Sequence, residues 1–387
     1  MLALRLARGS RPLVQLRRLF VAAAAAGTGF LLLATVGHAA GHPTTAGDSL
    51  VRLLWCAAPL AATAQLAMSV ARSDPAARLQ RGMAAAGLGP IRLALIAASS
   101  TALTGLLGVL VSLAVFFRLR GDLGGPPTTA LDADLLGAGH SVPLVGALML
   151  LAVVPLTAAG ATAFSLRPRA GGDSRHGDHR TRVDTPTALP WGIALTAAGL
   201  AIEAYASRGT VSSGGLLPLP GRLIGSPPGV LAGWALSACG LVLSGPGLVH
   251  VCGRLLCAGR PGSLRLLSGR VLQQESQRIG RPLGVVCAVG SGTYAAAKVY
   301  DASPTSPFGP LTAIGAVVVL ACVAASALTA AVESRAARAH TTAALRRLGA
   351  PASVLYRAAA LRTSALVIVL GPLTWVVAET ATLPLVH

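Results

Sequence analysis

The stretch Thr341–Leu370, TTAALRRLGAPASVLYRAAALRTSALVIVL, opens with arginines at helical spacing, breaks at Gly349-Ala350-Pro351, and runs into an apolar segment. Gly349 suits the left-handed cap that ends a helix, and Pro351 just beyond it cannot continue one. Leu345 and Leu348 fall on one face ahead of the break, with Arg346 and Arg347 on another. The spacing predicts a short amphipathic helix lying at a membrane surface. Far upstream, Met83–Leu95 reads MAAAGLGPIRLAL, with a similar break at Gly87 and a similar apolar run behind it. Aligning Gly87 with Gly349 sets Met83 on Leu345 and Ala86 on Leu348, so one cationic or apolar element feeds two apolar segments.

Where those segments sit follows from composition. Apolar residues make up 53% of the 387-residue chain and charged residues 12%, too little charge to clothe a soluble protein of this length. A hydrocarbon core is crossed by about 20 residues rising ~1.5 Å each. Runs of that order recur at Leu19–Ala40, Leu50–Val70, Ile91–Phe117, Val142–Phe164, Leu189–Tyr205, Gly229–Val251, Leu283–Val299, Phe308–Val332 and Thr363–Pro384. The expected fold is therefore all-α, a polytopic transmembrane helical bundle of nine spans. The first span is long and is followed by eight more, so it is read as a crossing and not as a cleavable signal, although GHAAG near its end resembles a cleavage site.

The formal net charge of +19 would suit nucleic acid, but its placement argues against such a partner. Arginines collect before the first span (Arg5 to Arg18), after the second (Arg72 to Arg92), after the fourth (Arg167 to Arg182), after the sixth (Arg254 to Arg281) and after the eighth (Arg335 to Arg362). The alternate loops hold few basic residues and several acids, among them Asp48, Asp122, Asp132, Asp134 and Asp301. This positive-inside pattern puts the N-terminus in the cytoplasm, and nine crossings put the C-terminus outside. Arg118 and Arg120 break the pattern and are expected to snorkel at the outer headgroups, as are Glu203, Lys298 and Glu379 near the outer ends of spans.

Machinery for chemistry is not visible. The six cysteines fall singly in or beside spans, without a CxxC pair, and read as small apolar packing residues. His176 and His179, with Asp173, Asp178 or Asp184, lie in a glycine-rich charged loop where no metal site is expected. No GxxxxGK[ST] loop occurs, and Lys298 is the chain's one lysine, so the chain is not expected to hydrolyse ATP or to carry a cofactor. GxSxG and HExxH patterns are absent as well.

Ala344–Pro351, ALRRLGAP, resembles the LRALGAS element of the FtsX-like permeases, the membrane subunits of MacB-, LolC- and BceB-type ABC systems. Leu345, Arg346, Leu348, Gly349 and Ala350 match, and Pro351 stands where serine or threonine is usual. In the first copy only Met83, Ala86 and Gly87 match well. Leu267–Gly292, LSGRVLQQESQRIGRPLGVVCAVGSG, looks like the amphipathic lead-in to the second permease half in actinobacterial members. The resemblance implies two permease halves joined by two linking helices: a first half over 1–165, a polar loop over 166–188, linking helices over 189–252 and a second half over 253–387. It implies ten spans, so the final span of the second half would be missing. It also implies a coupling element formed by Met83, Gly87, Leu345, Arg346, Arg347, Leu348 and Gly349. The implied partners are a separate ABC ATPase, membrane lipids and a second permease copy, in a bacterial plasma membrane. The family's usual acid about 13 positions after the coupling glycine is replaced by Ser100 and Arg362, and no loop is long enough for the large outer domain of the MacB and BceB types.

Two functions follow as expectations. One is a permease subunit that couples ATP hydrolysis by its partner to movement of the bundle, for export or extraction of a lipid-like or peptide substrate, including antibiotic efflux. The other is a non-transporting scaffold or regulator derived from such a permease. The topology is checked by cysteine accessibility in a background freed of native cysteines. Ser174→Cys should label only from the cytoplasmic side and Ser306→Cys only from outside; outside labelling at position 174 would sink the scheme.

Overall fold

The structure, a computed structural model, describes residues 12–42, 46–73, 90–122, 136–137, 139–166, 188–208, 217–218, 225–226, 228–259, 262–301, 309–347, 349 and 351–386. Met83, Gly87 and the loop bearing His176 and His179 lie outside the described residues. Ten helices make up nearly all of what is described: α1 (Pro12–Gly41), α2 (Ala46–Trp55), α3 (Ala57–Ser73), α4 (Pro90–Arg120), α5 (Leu144–Leu166), α6 (Leu189–Arg208), α7 (Pro228–Cys257), α8 (Ser263–Asp301), α9 (Pro310–Arg347) and α10 (Ala352–Val386). A two-residue antiparallel pairing, Leu217 with Ser226 and Pro218 with Gly225, lies between α6 and α7. The all-helical architecture agrees with the sequence.

Eight helical segments are long and apolar enough to cross a membrane: Val14–Gly41, Ser49–Ser73, Ala94–Arg120, Leu144–Leu166, Leu189–Ser207, Gly229–Cys257, Pro310–Ala339 and Ala352–Leu383. The ninth expected span, Leu283–Val299, is not among them. It is the second part of α8, a 39-residue helix, and its 17-residue apolar run is diluted by Gly290, Ser291, Gly292, Thr293 and Lys298. The chain thus has the character of a multi-pass membrane protein with eight such segments among the described residues. The second segment is split between α2 and α3 at Cys56. Pro59 explains the break, because its ring clashes with the carbonyl four residues back, that of Trp55.

The described helices group into two compact units. In the first, α1 is the buried member: Leu33 and Ala34 are each 1% exposed, and α4, α3 and α5 pack on it. Phe116 of α4, fully buried, meets Phe30 of α1 edge-on, with ring centroids 6.4 Å apart. Thr28 of α1 and Thr63 of α3 share a hydrogen bond of 2.8 Å, and each also donates to its own helix, to Ala24 O and Pro59 O. Residues 310–329 of α9 belong to this unit, where Cys322 and Ala325 pack with Val21, Leu66 and Ala158.

The second unit holds α6, α7, α8, α10 and residues 330–347 of α9. Its α6 and α7, the two segments expected to link permease halves, press together along a seam of small residues. A Cβ on Gly192 would lie 2.5 Å from the Ser244 nitrogen, one on Gly199 2.6 Å from the Gly233 carbonyl oxygen, and one on Gly240 2.5 Å from the Thr196 nitrogen. Close backbone approach of this kind lets dispersion hold helices together where lipid is as apolar as leucine. On its other side α7 crosses α8, where a Cβ on Gly284 would stand 2.7 Å from Leu241 O.

The glycine-rich runs of α4 (Gly105–Val115) and α8 (Gly284–Gly292) differ in what they face. In α4, a Cβ at Gly105 would sit 3.3 Å from Pro155 of α5, and one at Gly108 would collide with Ala22 O of α1. In α8, Gly290 would meet only Thr374 Cγ2 at 3.5 Å and Gly292 nothing within 4 Å, so of that run Gly284 alone is locked in a crossing. Gly108→Leu should therefore lower the yield of monodisperse protein several-fold, since overpacking a crossing costs at least about 1–3 kcal/mol. Leu107→Ile, at a position 62% exposed, should leave yield at the wild-type level. Size-exclusion profiles of detergent extracts make the comparison, and equal behaviour would refute the assignment of faces.

Candidate functional site at the arginine-rich end of α8, α9 and α10

The element that opened the reading is the end of α9. Between Gly315 and Gly349 the sequence has neither glycine nor proline and is rich in alanine and arginine, so nothing stops the helix. α9 runs unbroken for 38 residues to Arg347. The expected separate short amphipathic helix is instead the last turns of this long one. Gly349 then takes φ +89°, and its N–H donates to Arg346 O at 3.0 Å. This is the left-handed cap that the sequence called for, a conformation that costs an L-residue roughly 1–2 kcal/mol. α10 starts at Ala352, with Val354 N–H donating to Pro351 O at 3.1 Å. The Arg346 and Arg347 side chains are exposed. The Leu345 side chain, Leu348, Met83 and Gly87 fall outside the described residues.

About three turns before this cap, α9 is clasped. Arg338 Nε lies 3.1 Å from Glu275 Oε1 of α8 and also donates to Ser334 O at 2.9 Å, while its Nη2 reaches Ser334 Oγ at 2.9 Å. Ser268 of α8 donates to Ala358 O of α10 at 3.2 Å, and Arg362 Nε of α10 donates to that same carbonyl at 3.1 Å. Burial pushes the Glu275 carboxyl above its ordinary pKa, against the downward pull of Arg338, Arg362 and Arg278. The sequence reading passed over Glu275. A signal was there: it is the lone acid between Ser263 and Tyr300, and it follows Ser268 and Leu272 at intervals of seven and three residues. Ser268 is fully buried and Leu272 is 3% exposed, so Glu275 lies on the packed face of a basic helix.

The ionisable groups expected to snorkel do otherwise. Glu203 of α6 is 1% exposed and accepts a hydrogen bond from Trp234 Nε1 of α7 at 2.6 Å, while its Oε2 has no partner. It continues the α6 seam of Gly192, Thr196 and Gly199. Lys298 of α8 reaches both carboxylate oxygens of Glu379 of α10, at 2.7 and 2.8 Å, and Tyr294 donates to Oε1 at 2.8 Å. Arg120 is 7% exposed; it donates to His140 O and lies 3.3 Å from Asp122. Partners within the protein thus meet Glu203 Oε1, Lys298, Glu379 and Arg120. Arg118 remains exposed.

All six cysteines are free, and four of them are buried. No cluster of three or more His, Cys, Asp or Glu able to hold a metal occurs among the described residues. Comparison of the chain with family models, curated proteins and solved structures returns no match.

The clasp makes a stability prediction. With side chains only 24% and 14% exposed, the Arg338–Glu275 pair falls between surface and buried bridges. Arg338→Gln should then cost about 1–3 kcal/mol, because it strands a half-buried carboxylate. The double variant with Glu275→Gln should lose less than the two single losses together. Thermal unfolding of purified protein in detergent measures both, and strict additivity would show that the pair does not act as a bridge.

Proposed function

We propose that the chain is the membrane subunit of an ABC-type transporter or force-transmitting complex, in which a separate ATPase pushes on the end of α9. The observation that carries this reading is mechanical. α9 is one uninterrupted helix that ends at a left-handed glycine cap, and the chain re-enters an apolar helix three residues later. A load on Arg346 and Arg347 is therefore applied directly to two membrane-length helices, with the Glu275–Arg338 clasp carrying it into α8. The resemblance of Ala344–Pro351 to the coupling element of FtsX-like permeases supports the same reading. Under it the arginine-rich ends face the cytoplasm, the membrane is the plasma membrane, and the substrate is lipid-like or peptide. A non-transporting scaffold is the second reading, favoured by the eight membrane-length segments among the described residues where the resemblance leads one to expect ten.

Apolar anchors carry most interface energy, whereas rim charges steer approach. Leu345 and Leu348 would be the anchors in a groove of the ATPase, and Arg346 and Arg347 the rim against an acidic surface. Leu345→Asp with Leu348→Asp should abolish co-purification of the ATPase from native membranes while leaving the bundle membrane-embedded. Arg346→Gln with Arg347→Gln should weaken association several-fold at most, and more at low salt than at high. Recovery of the ATPase with the double Asp variant at the wild-type level would refute the coupling role and move the scaffold reading ahead.

A further inference from the structure

At the clasp, positive charge is in excess. Arg338, Arg362 and Arg278 all act on one carboxylate, Glu275, and Arg338 and Arg362 are near enough to repel each other. Arg338 is used up: its Nε and Nη2 are bonded to Ser334 and Glu275. Arg362 is not. It is half-buried, its Nε is held by Ala358 O, and its two terminal nitrogens have no hydrogen-bond acceptor among the described residues. A guanidinium so placed presents a rigid fork of N–H donors that fits an oxyanion in two-point fashion. Arg278, exposed on α8, adds a further positive charge acting on Glu275.

Depth narrows the ligand. The membrane-length segment of α10 runs from Ala352 to Leu383. Counted back from Leu383, Arg362 lies about 32 Å along the helix at ~1.5 Å per residue, which is about the thickness of a hydrocarbon core. Arg338 lies next to the last residue of its own segment, Ala339. With Leu383 set at one boundary of the hydrocarbon, Arg362 reaches the other, and Arg338 lies at the end of its own apolar segment, both on helices and not in a loop. The excess charge, the free fork and the depth are three separate observations that point to one chemistry.

We infer that Arg362, in the positive field left uncompensated by Glu275, forms a binding site for a phosphate group, supplied by the headgroup of an anionic lipid, at the meeting of α8, α9 and α10. The site lies apart from Arg346 and Arg347 and does not depend on an ATPase partner. A bound phosphate offsets the repulsion between Arg338 and Arg362 and leaves the Glu275 bridge intact, so lipid stiffens the base of α9.

The test uses the full-length protein, delipidated in detergent, with native mass spectrometry counting bound phosphatidylglycerol, phosphatidylcholine or inorganic phosphate. Wild-type protein should retain one phosphatidylglycerol per chain. Its affinity should exceed that for phosphatidylcholine by about tenfold, since the net charge of the headgroup decides the match. Arg362→Gln should weaken phosphatidylglycerol binding about tenfold, while Arg357→Gln, an exposed arginine on the same helix, should leave it unchanged. Arg362→Lys keeps the charge without the fork and should fall between, which secures the assignment should the Gln variant fold poorly. Binding of inorganic phosphate that is lost in Arg362→Gln, with no preference among lipids, would keep the anion site and reassign its ligand to a soluble phosphate. No binding of either probe to wild type, or equal binding to wild type and both Arg362 variants, would overturn the site.

Discussion

Close approach of helix backbones is the constraint on which this structure rests. In a bilayer, apolar side chains gain nothing by leaving lipid for protein, so helices associate only where their surfaces let many atoms touch. The chain meets this demand with small residues at the crossings: Gly108 against Ala22, Gly199 against Gly233, Gly192 against Ser244, Gly245 against Gly280. Large side chains are largely left to the lipid side; Val145, Met149 and Phe164 of α5 are each more than 70% exposed. Bulky side chains still fill the core of the first unit, where Leu33, Leu66 and Phe116 are buried, so small residues at the crossings and large ones between them share the packing.

Dry crossings also decide the fate of charge. A carboxylate carried into such a contact must find a donor within the protein. Glu203, at the end of the α6–α7 seam, finds the Trp234 indole and Glu275 finds Arg338, while the more exposed Glu379 is held by Lys298 and Tyr294. Glu203 and Glu379 bond across helices that also pack on each other, α6 on α7 and α8 on α10, whereas Glu275–Arg338 is itself a tie between α8 and α9. Glu275 differs from the other two in being outnumbered by arginines, and this separates a structural pair from a place that calls for a further anion.

The sequence disclosed the helices because their signal is local. Apolar runs of membrane length marked all eight segments, although the last begins at Ala352, eleven residues before the expected Thr363, and Gly349 with Pro351 marked the one turn whose conformation the chemistry dictates. Length and polarity trade off at the ninth expected span: Leu283–Val299 is apolar between two polar flanks, but with glycine, serine and lysine within its 17 residues it is not among the eight segments. Pairing was less legible still. Lys298 and Glu379 stand 81 positions apart, and Arg120 meets His140 through a loop; no spacing rule links them. Glu275 could have been found, since an isolated acid on the apolar stripe of an arginine-rich helix needs a partner. That its partners would be Arg338 and Arg362 depends on how α8, α9 and α10 pack.

Arg362 links the resemblance to the geometry. It occupies the position, thirteen residues past Gly349, at which the resemblance leads one to expect an acid, and taken alone the reversal of sign counts against a permease. In the fold, the acid near that position comes from another helix, since Glu275 of α8 lies close enough to act on Arg362. A negative charge thus acts on this turn of α10, but it is carried on α8 and bonded to α9. An acid on α10 would have acted on α10 alone, whereas an acid on α8 that binds α9 and faces α10 ties three helices at one level. Any displacement of the α9 end must then either carry α8 with it or break a half-buried ion pair.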